Sequence, residues 1–296
     1  MRLVYAAALT FFTFAGGVDR TAQAAQIFAI TGGNGLLSFD STTPGTTTPV
    51  VPITGLQPAE TLVGIDFRPA TTQLYGVGSS STIYVINTAT GAATAAGPSF
   101  SPALSGSSFG VDFNPTVDRL RIVSNTGQNL RVNPIAGAIA ATDTPLNFAA
   151  ADVNAGRTPN VVASAYTNNF AGAATTTLYG IDSNLGILVT QNPPNNGTLN
   201  TVGPLGLIPN GIAGFDISAV DGTAFASFSV GNGAASLYTV NLATGAAMNV
   251  GTIGRALTIT DISVVTTPEP GALFLSGFGL VGLMAWRWKQ KVSARV

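Results

Sequence analysis

Aspartate recurs within similar short apolar segments along this chain, at Asp66, Asp112, Asp152, Asp216 and Asp261. Carboxylate oxygens are the hard ligands that Ca²⁺ prefers, and a bound Ca²⁺ can position an anionic substrate. If the five side chains converge, the set predicts a calcium site. A residue repeated once per structural unit more often serves the unit itself, so the stronger expectation is that each aspartate accepts backbone hydrogen bonds within its own repeat.

Two absent residue types exclude several chemistries. The chain contains no cysteine and no histidine, which excludes disulfides, thiolate catalysis, thiolate metal sites and a Ser-His-Asp triad. The commonest general base near neutral pH is missing as well. The sequence offers no catalytic constellation, and we expect a protein that is not an enzyme.

Arginines are concentrated in one stretch of the body, at Arg68, Arg119, Arg121 and Arg131. Such a group can clamp a carboxylate or a phosphate through bidentate hydrogen bonds. Because neither histidine nor lysine is nearby to transfer protons, the favoured interpretation is structural. It predicts ion pairs with Asp66, Asp112 and Asp118 on neighbouring strands.

The elements that must position these side chains form an internal repeat. An apolar stretch ending in Asn or Asp, at positions 87, 133, 182 and 241, is followed four residues later by glycine, and a looser copy ends at Asp40. The Asn or Asp side chain caps a turn, and glycine supplies the positive φ of a hairpin. Successive copies are 47, 46, 49 and 59 residues apart, which is close to the period of four-stranded propeller blades.

The aspartate-bearing segments recur out of phase with these hairpins and supply another strand of each unit. A further apolar segment follows them, at 74–77, 120–123, 161–165 and 223–228. In this interpretation Ala151-Asp152-Val153 is a weak copy of the aspartate strand. Residues 168–177 and 192–198 are predicted to be insertions that stretch the fourth unit.

The two ends of the repeat predict closure. The first unit, 27–56, lacks an aspartate strand at its start, whereas the last such strand, 257–265, has no unit after it. Pairing the two completes a fifth blade and hides the sheet edges that an open array exposes. The sequence therefore predicts an all-β fold, a β-propeller of five four-stranded blades. An open stack of hairpins or a two-sheet sandwich is the alternative.

The repeated Gly-x-Asp-Phe-x-Pro and Leu-Tyr-Gly motifs resemble those of a family of uncharacterised exported bacterial domains. Residues 64–69, 74–76, 110–115 and 178–180 carry the similarity, which extends over most of 27–265. The resemblance implies a propeller-like repeat and supplies no activity. The segment around Asp152 departs from the motif.

Three features follow one another at the C-terminus: Pro268-Glu269-Pro270, the uncharged segment 271–286, and a basic end with Arg287, Lys289, Lys291 and Arg295. Because a helix of about 20 apolar residues spans a bilayer, 271–286 predicts a short transmembrane helix with its basic end in the cytoplasm. The tail resembles the PEP-CTERM sorting signal of Gram-negative bacteria. That resemblance implies recognition by an exosortase, a membrane peptidase that cuts near the triplet. A plain single-pass anchor is the alternative.

The N-terminus agrees with export. Arg2 precedes an apolar run, and the small residues Ala22 and Ala24 stand where a signal peptidase cuts. The chain then divides into a signal peptide, 1–24, a propeller-like body, 25–267, and a sorting tail, 268–296. The body carries six arginines, eleven acidic residues and no lysine, a balance that argues against nucleic acid as a partner.

These observations predict an exported protein of the cell envelope or extracellular space that is held transiently in the inner membrane. Signal peptidase and exosortase are its predicted partners during export. We expect a binding or structural module of the extracellular matrix. Sorting signals of this kind are usually associated with exopolysaccharide, which suggests exopolysaccharide as the ligand. The alternative is a Ca²⁺-dependent hydrolase or lyase that uses carboxylates in the propeller channel.

Overall fold

The computed structural model describes residues 24–231, 233–255 and 257–266. Within these residues the chain forms 21 short strands and one 3-10 turn, Pro194–Asn196. In chain order the strands are β1 Gln26–Thr31, β2 Gly35–Asp40, β3 Val51–Pro52, β4 Leu62–Arg68, β5 Gln73–Gly78, β6 Ile83–Ile86, β7 Ala93–Ala95, β8 Phe109–Asn114, β9 Arg119–Ser124, β10 Asn129–Val132, β11 Ile139–Thr142, β12 Asn147–Phe148, β13 Val161–Tyr166, β14 Leu178–Asp182, β15 Ile187–Gln191, β16 Thr198–Pro204, β17 Ala213–Ile217, β18 Ala224–Phe228, β19 Ser236–Val240, β20 Ala247–Thr252 and β21 Ile259–Val264.

The strands form five sheets, which are the blades of a propeller. Blade 1 has the order β21-β1-β2-β3, blade 2 β4-β5-β6-β7, blade 3 β8-β9-β10-β11, and blade 5 β17-β18-β19-β20. Blade 4 has the order β13-β14-β15-β16, and the two-residue strand β12 adds to its outer edge in parallel. The predicted architecture of five four-stranded blades is confirmed.

The ring is closed by its two ends. The last strand, β21, pairs antiparallel with β1 from Ile27 and Val264 to Thr31 and Ile259, so it becomes the innermost strand of blade 1. The five innermost strands, β21, β4, β8, β13 and β17, pack against one another around the axis. Closure by the first and last repeats is therefore confirmed.

The apolar core lies between blades rather than within one layer. Five clusters of buried side chains occupy the five interfaces between neighbouring blades. At the interface of blades 5 and 1, for example, Leu237 packs with Ile27 and Ile262. Each blade therefore buries its two faces only when both neighbours are present.

The hairpin corners form as their composition predicts. Oδ1 of Asn87 accepts hydrogen bonds of 3.0 Å from the N–H groups of Ala89 and Thr90, and Gly91 takes a φ of 71°. Asn241 repeats the arrangement, and Gly245 has a φ of 83°. Glycine adopts this left-handed conformation without steric cost, which explains its fixed place in the repeat.

In the fourth blade, the order of the strands differs from the prediction by one position. Residues 161–165 belong to β13, the innermost strand, rather than to the second strand, and Leu178-Tyr179-Gly180 opens the second strand as Leu74-Tyr75-Gly76 does in blade 2. The hairpin from Asp182 to Gly186 thus joins the second and third strands. The prediction was wrong because a turn capped by Asn or Asp fits any tight hairpin, whatever its place in the blade.

None of the helices in the part of the chain that the structure describes has the length and apolar character needed to span a bilayer. The predicted transmembrane helix, 271–286, lies outside the described residues. So do residues 1–23 of the predicted signal peptide. Both stay predictions.

Candidate functional site

Three of the five repeated aspartates meet at the axis of the propeller. Asp66 on β4, Asp112 on β8 and Asp216 on β17 are each 1% exposed, and one carboxylate oxygen from each lies within 4.8 Å of the other two. We call these three residues the axial cluster. They converge because innermost strands of different blades contact one another directly around the axis.

Strand register explains which residues reach the axial cluster. Asp66, Asp112 and Asp216 stand opposite Tyr75, Arg121 and Phe225, respectively, on the second strands of their blades. The corresponding positions of the other two blades are Ala165, opposite Tyr179, and Ser263, opposite Phe28. One level of the propeller therefore carries three carboxylates, one hydroxyl and one methyl group.

These side chains tie each innermost strand to the next blade. The N–H of Phe113 donates to Oδ2 of Asp66 at 2.7 Å, and the N–H of Tyr166 donates to Oδ1 of Asp112 at 3.2 Å. The N–H of Val264 donates to Oδ2 of Asp216 at 2.6 Å. The expected backbone hydrogen bonds are present, but these three cross between blades instead of staying within one repeat.

The series is interrupted in blade 4. Ala165 has no acceptor to offer to the next strand, and the N–H of Ile217 donates instead to Oδ1 of Asp216 at 2.6 Å. In blade 1 the hydroxyl of Ser263 takes the place of the carboxylate and accepts from the N–H of Phe67 at 3.0 Å. Ala165 and Ser263 thus take the places of two aspartates at this level. The sequence repeats alone do not reveal either replacement.

The hydroxyl of Ser263 also lies between two carboxylates. Its Oγ is 2.9 Å from Oδ1 of Asp66 and 3.1 Å from Oδ2 of Asp216. A hydroxyl has one proton to donate, so it cannot satisfy both acceptors at once. A proton on one carboxyl, or a cation, is needed to relieve the second contact.

Three buried polar atoms beside this level accept no hydrogen bond from any described residue. They are Oδ2 of Asp112, Oγ of Ser164 and Oδ1 of Asn169. Asn169 is 1% exposed, and its Nδ2 lies 3.5 Å from Oδ1 of Asp216. It comes from the loop after β13, the strand in which Ala165 replaces the carboxylate. Sequence reasoning missed Asn169, because it lies in a segment interpreted only as an insertion.

The axial carboxylates are poor acids in this environment. Burial raises the pKa of Asp66 well above its ordinary value, and the charge of Asp216 raises it further. Burial and then the charge of Asp66 raise the pKa of Asp112 in the same way. Burial raises the pKa of Asp216 to about 7. The cause is common to all three: a desolvated negative charge is costly without a positive partner.

Arginine does not provide that partner among the described residues. Arg68 pairs with Asp118, and Arg121 and Arg131 both pair with Asp143. The predicted ion pair with Asp118 is present and is formed by Arg68, whereas the described residues form no ion pair with Asp66 or Asp112. The buried guanidinium of Arg121 is held by Asp143, the hydroxyl of Tyr166 and the amide oxygen of Asn195, which is a structural role between blades 3 and 4.

Asp261 lies near the axial cluster but at a different level. It stands opposite Ile30, two residues before Ser263. Its Oδ2 accepts from the N–H of Ile65 at 2.8 Å, and its Oδ1 accepts from its neighbour Ile262 at 2.9 Å. Burial raises the pKa of Asp261 as well. The sequence pattern aligned Asp261 with Asp66, but the pairing of β21 with β1 gives that level to Ser263.

Asp152 does not reach the axis, and its assignment to an aspartate strand was wrong. It lies in a turn after β12, where Oδ2 accepts from the N–H of Thr201 at 2.6 Å and Oδ1 from the hydroxyl of Thr201 at 2.8 Å. Partial burial opposes ionisation here, but these hydrogen bonds and one from the N–H of Asn154 lower the pKa of Asp152. The side chain stabilises an outer turn of blade 4 because β13 supplies the innermost strand.

A depression opens on the axis where the innermost strands begin. Its volume is about 180 Å³, and we call it the axial depression. Hydroxyl groups in its lining come from Thr61, Ser107, Ser108 and Thr260. Apolar side chains in its lining include Leu62, Phe109, Val162 and Ile212. The described residues that line it carry no charge.

Several solved structures are similar to part of this chain. A protein of unknown function from Bacteroides thetaiotaomicron VPI-5482 has 17% identity and a TM-score of 0.48, covering 83% of this chain and 68% of that one. A chain of a nidogen/laminin complex has 13% identity and a TM-score of 0.42, covering 82% and 98%. TolB from Acinetobacter baumannii has 11% identity and a TM-score of 0.42, covering 77% and 53%. No curated protein matches the sequence.

Two family models match the sequence in adjoining segments. The PEP-CTERM protein-sorting motif matches residues 266–290, which include Pro268, Glu269 and Pro270. The predicted sorting signal is confirmed, and it implies an exported protein that an exosortase processes and that is delivered to the envelope or beyond. The model described as Domain of unknown function (DUF4394) matches residues 35–263, which is most of the propeller, so the chain belongs to that family.

Proposed function

We propose that this exported propeller is a binding module of the cell surface or extracellular matrix, and that it binds a neutral sugar unit of an exopolysaccharide. In this proposal signal peptidase removes residues 1–24, and the segment 271–286 holds the precursor transiently in the inner membrane. An exosortase then cuts near Pro268-Glu269-Pro270. The propeller is left outside the cytoplasm with its axial depression open to the surroundings.

The lining of the axial depression is the observation that carries this proposal. Hydroxyls of Thr61, Ser107 and Thr260 stand beside apolar Phe109 and Ile212, a mixture that suits the alternating polar edges and apolar faces of a sugar ring. The volume of about 180 Å³ is below the range of about 300–1,000 Å³ typical of pockets for drug-sized ligands. The depression therefore suits one terminal or branching unit of a chain, and its uncharged lining favours a neutral one.

A binding role is favoured over a hydrolase or lyase activity because the axial carboxylates are buried away from this surface. The axial cluster lies three to four residues further along the innermost strands, and each of its members is 1% exposed. A general base must come within hydrogen-bond reach of the proton that it removes. A polysaccharide in the axial depression cannot meet that condition with Asp66, Asp112 or Asp216. We therefore propose that the module is not an enzyme.

The test measures binding of the full-length chain, in mild detergent, to purified exopolysaccharide from the producing organism. Thr61→Trp places a large side chain in the axial depression, and the side chain of Thr61 makes no hydrogen bond with the described residues that the substitution would remove. Thr88→Trp, in an exposed hairpin turn of the same blade, is the matched control. We expect Thr61→Trp to weaken binding at least tenfold and Thr88→Trp to leave it unchanged. Absence of binding by the unmodified chain, or equal binding by both variants, contradicts the proposal.

A further inference from the structure

The axial cluster concentrates negative charge that the described residues do not balance. One carboxylate oxygen from each of Asp66, Asp112 and Asp216 lies within 4.8 Å of the other two, and the buried Asp261 accepts a hydrogen bond from the N–H of Ile65, the residue before Asp66. The described arginines that form ion pairs are engaged with Asp118 and Asp143. Buried charges in proteins are paired, neutralised by protons or bound to metals. This location therefore requires protons or a cation.

The donor atoms select the kind of cation. Carboxylate, amide and hydroxyl oxygens surround the site, and the chain has no histidine or cysteine to offer nitrogen or thiolate. Hard cations such as Ca²⁺ and Mg²⁺ prefer an all-oxygen environment. Oxygens on opposite sides of one Ca²⁺ are about 4.6–5.2 Å apart, since Ca–O distances are about 2.3–2.6 Å. Each pair of these carboxylate oxygens, within 4.8 Å of each other, therefore lies inside the span of one Ca²⁺ coordination sphere.

Asn169 is a separate observation that indicates a ligand. Its side chain is buried at the axis, its Oδ1 has no hydrogen-bond partner among the described residues, and its Nδ2 lies against Asp216. Rotation of the planar amide by 180° exchanges Oδ1 and Nδ2, which brings an oxygen to the side of the carboxylate. An amide oxygen is a common neutral ligand of Ca²⁺. Oδ2 of Asp112 is similarly without a partner.

We propose that one Ca²⁺ binds on the propeller axis, held by Asp66, Asp112 and Asp216 with Asn169 as a neutral ligand. Such an ion links the innermost strands of blades 2, 3 and 5, and through Asn169 it links the loop of blade 4. It gives blade 4 a connection to the axis that Ala165 cannot supply. The site goes beyond the proposed sugar binding, because it lies below the axial depression and needs no sugar.

The test is titration of the full-length chain with Ca²⁺ after exhaustive treatment with EDTA, followed by calorimetry and thermal melting. We expect one Ca²⁺ per chain, a Tm that rises with Ca²⁺ concentration, and binding at least tenfold tighter than that of Mg²⁺. Failure to bind Ca²⁺ at millimolar concentration means that protons alone neutralise the cluster, and it overturns the proposal. Mg²⁺ binding that equals or exceeds Ca²⁺ binding overturns the assignment to Ca²⁺.

Two variants and one control locate the ion. Asp112→Asn keeps the acceptor for the N–H of Tyr166, so the fold is retained, and we expect at least tenfold weaker Ca²⁺ binding. Asn169→Leu removes the neutral ligand at similar volume and is expected to weaken binding severalfold. Asp152→Asn changes a repeated aspartate outside the axial cluster and leaves Ca²⁺ affinity unchanged. Wild-type affinity in Asp112→Asn and Asn169→Leu, or a loss in Asp152→Asn equal to theirs, places the ion elsewhere and refutes the site. Sugar binding by the same variants is measured separately, so each proposal fails on its own.

Discussion

At the scale of single residues, the axial aspartates have two roles. They stabilise the fold, and they form a group of buried carboxylates that can bind protons or a cation. Each accepts a backbone N–H from a strand of a neighbouring blade or from its own strand, which holds the innermost strands in register. The same burial that strengthens these hydrogen bonds makes the negative charge costly. Oδ2 of Asp112 and Oδ1 of Asn169 are among the buried oxygens that receive no hydrogen bond from the described residues. The interblade hydrogen bonds alone do not require three carboxylates this close together.

The raised pKa values predict how stability depends on pH when cations are removed. Folding raises the pKa of Asp216 to about 7, against about 3.9 in an unfolded chain. As the pH rises, Asp216 therefore loses its proton in the unfolded state before it does so in the folded state. The stabilisation of the folded state by this bound proton is complete below about pH 4 and is lost as the pH rises through about 7. Asp66, Asp112 and Asp261 shift in the same direction. In EDTA we expect the free energy of unfolding to fall by on the order of 3 kcal/mol across this window.

Denaturation in urea at a series of pH values checks this prediction. Asp118, Asp152 and Asp221 have lowered pKa values, so their effect falls below about pH 4 and does not overlap the window. Asp112→Asn removes one ionisation and is expected to flatten the profile. A free energy of unfolding that stays constant or rises between pH 4 and 7 would count against neutral carboxyls at the axis.

A second prediction concerns the buried Arg121. Asp143→Ala removes its carboxylate partner and leaves a guanidinium that is 1% exposed, with only the neutral acceptors of Tyr166, Asn129 and Asn195 among the described residues. Breaking a buried pair in this way costs about 3 kcal/mol, and Arg131 loses the same partner. Asp221→Ala, in an exposed turn, is the control and is expected to cost at most about 1 kcal/mol. Similar losses of unfolding free energy in the two variants would show that Arg121 does not depend on Asp143.

At the scale of elements, glycine allows the innermost strands to approach closely enough for these hydrogen bonds. A Cβ on Gly110 of β8 would lie 2.6 Å from the backbone N of Ser164 on β13, and at Gly214 of β17 it would lie 2.5 Å from the backbone N of Ile262. Backbone atoms cannot move aside as the end of a side chain can. The glycine of the Gly-x-Asp motif is therefore required by packing between blades.

Gly110→Ala is accordingly expected to destabilise the propeller by about 2 kcal/mol, the cost of overpacking a tight contact. Gly33→Ala is the matched control, since no atom of the described residues lies within 4 Å of the added Cβ and the φ of Gly33 is not in the left-handed region. Its expected change is within about 0.5 kcal/mol. Chemical denaturation measures both. A loss of similar size in Gly33→Ala would remove the explanation by close strand approach.

The elements also show why sequence predicted the fold better than the site. Hairpins with capped turns and glycine at fixed positions depend on local physics, so their spacing was sufficient to predict five blades and closure. The axial level depends on register between distant strands. Register places Ser263 rather than Asp261 opposite Phe28, moves Asp152 to an outer turn, and brings Asn169 in from a loop. No local pattern distinguishes these outcomes, because each is decided by which strand pairs with which.

At the scale of the whole molecule, the sorting tail follows the last strand of the propeller in the sequence, so a cut in the tail leaves all strands of the propeller intact. The closing strand β21 ends at Val264, and the Pro-Glu-Pro triplet begins four residues later at Pro268. A cut at the triplet therefore keeps every strand of blade 1. The N–H of Val265 donates to the carbonyl of Gln26 at 3.0 Å, so a hydrogen bond joins the two ends of the propeller immediately before the tail. Folding can be complete before the tail is removed.

The triplet itself provides the last prediction. Replacing Pro268, Glu269 and Pro270 together with alanine changes no residue of the propeller, so folding of the body should be unaffected, but recognition by the exosortase should be lost. We expect the variant to accumulate in the inner membrane with Val296 still attached, whereas the mature wild-type protein lacks the tail and ends between β21 and residue 271. Ser293→Ala, which lies beyond the matched motif, is the control and should be processed normally. Mass spectrometry of the intact proteins distinguishes these products. If the alanine variant yields the same mature mass as the wild type, the triplet does not direct the cut, and the tail functions in export by another route.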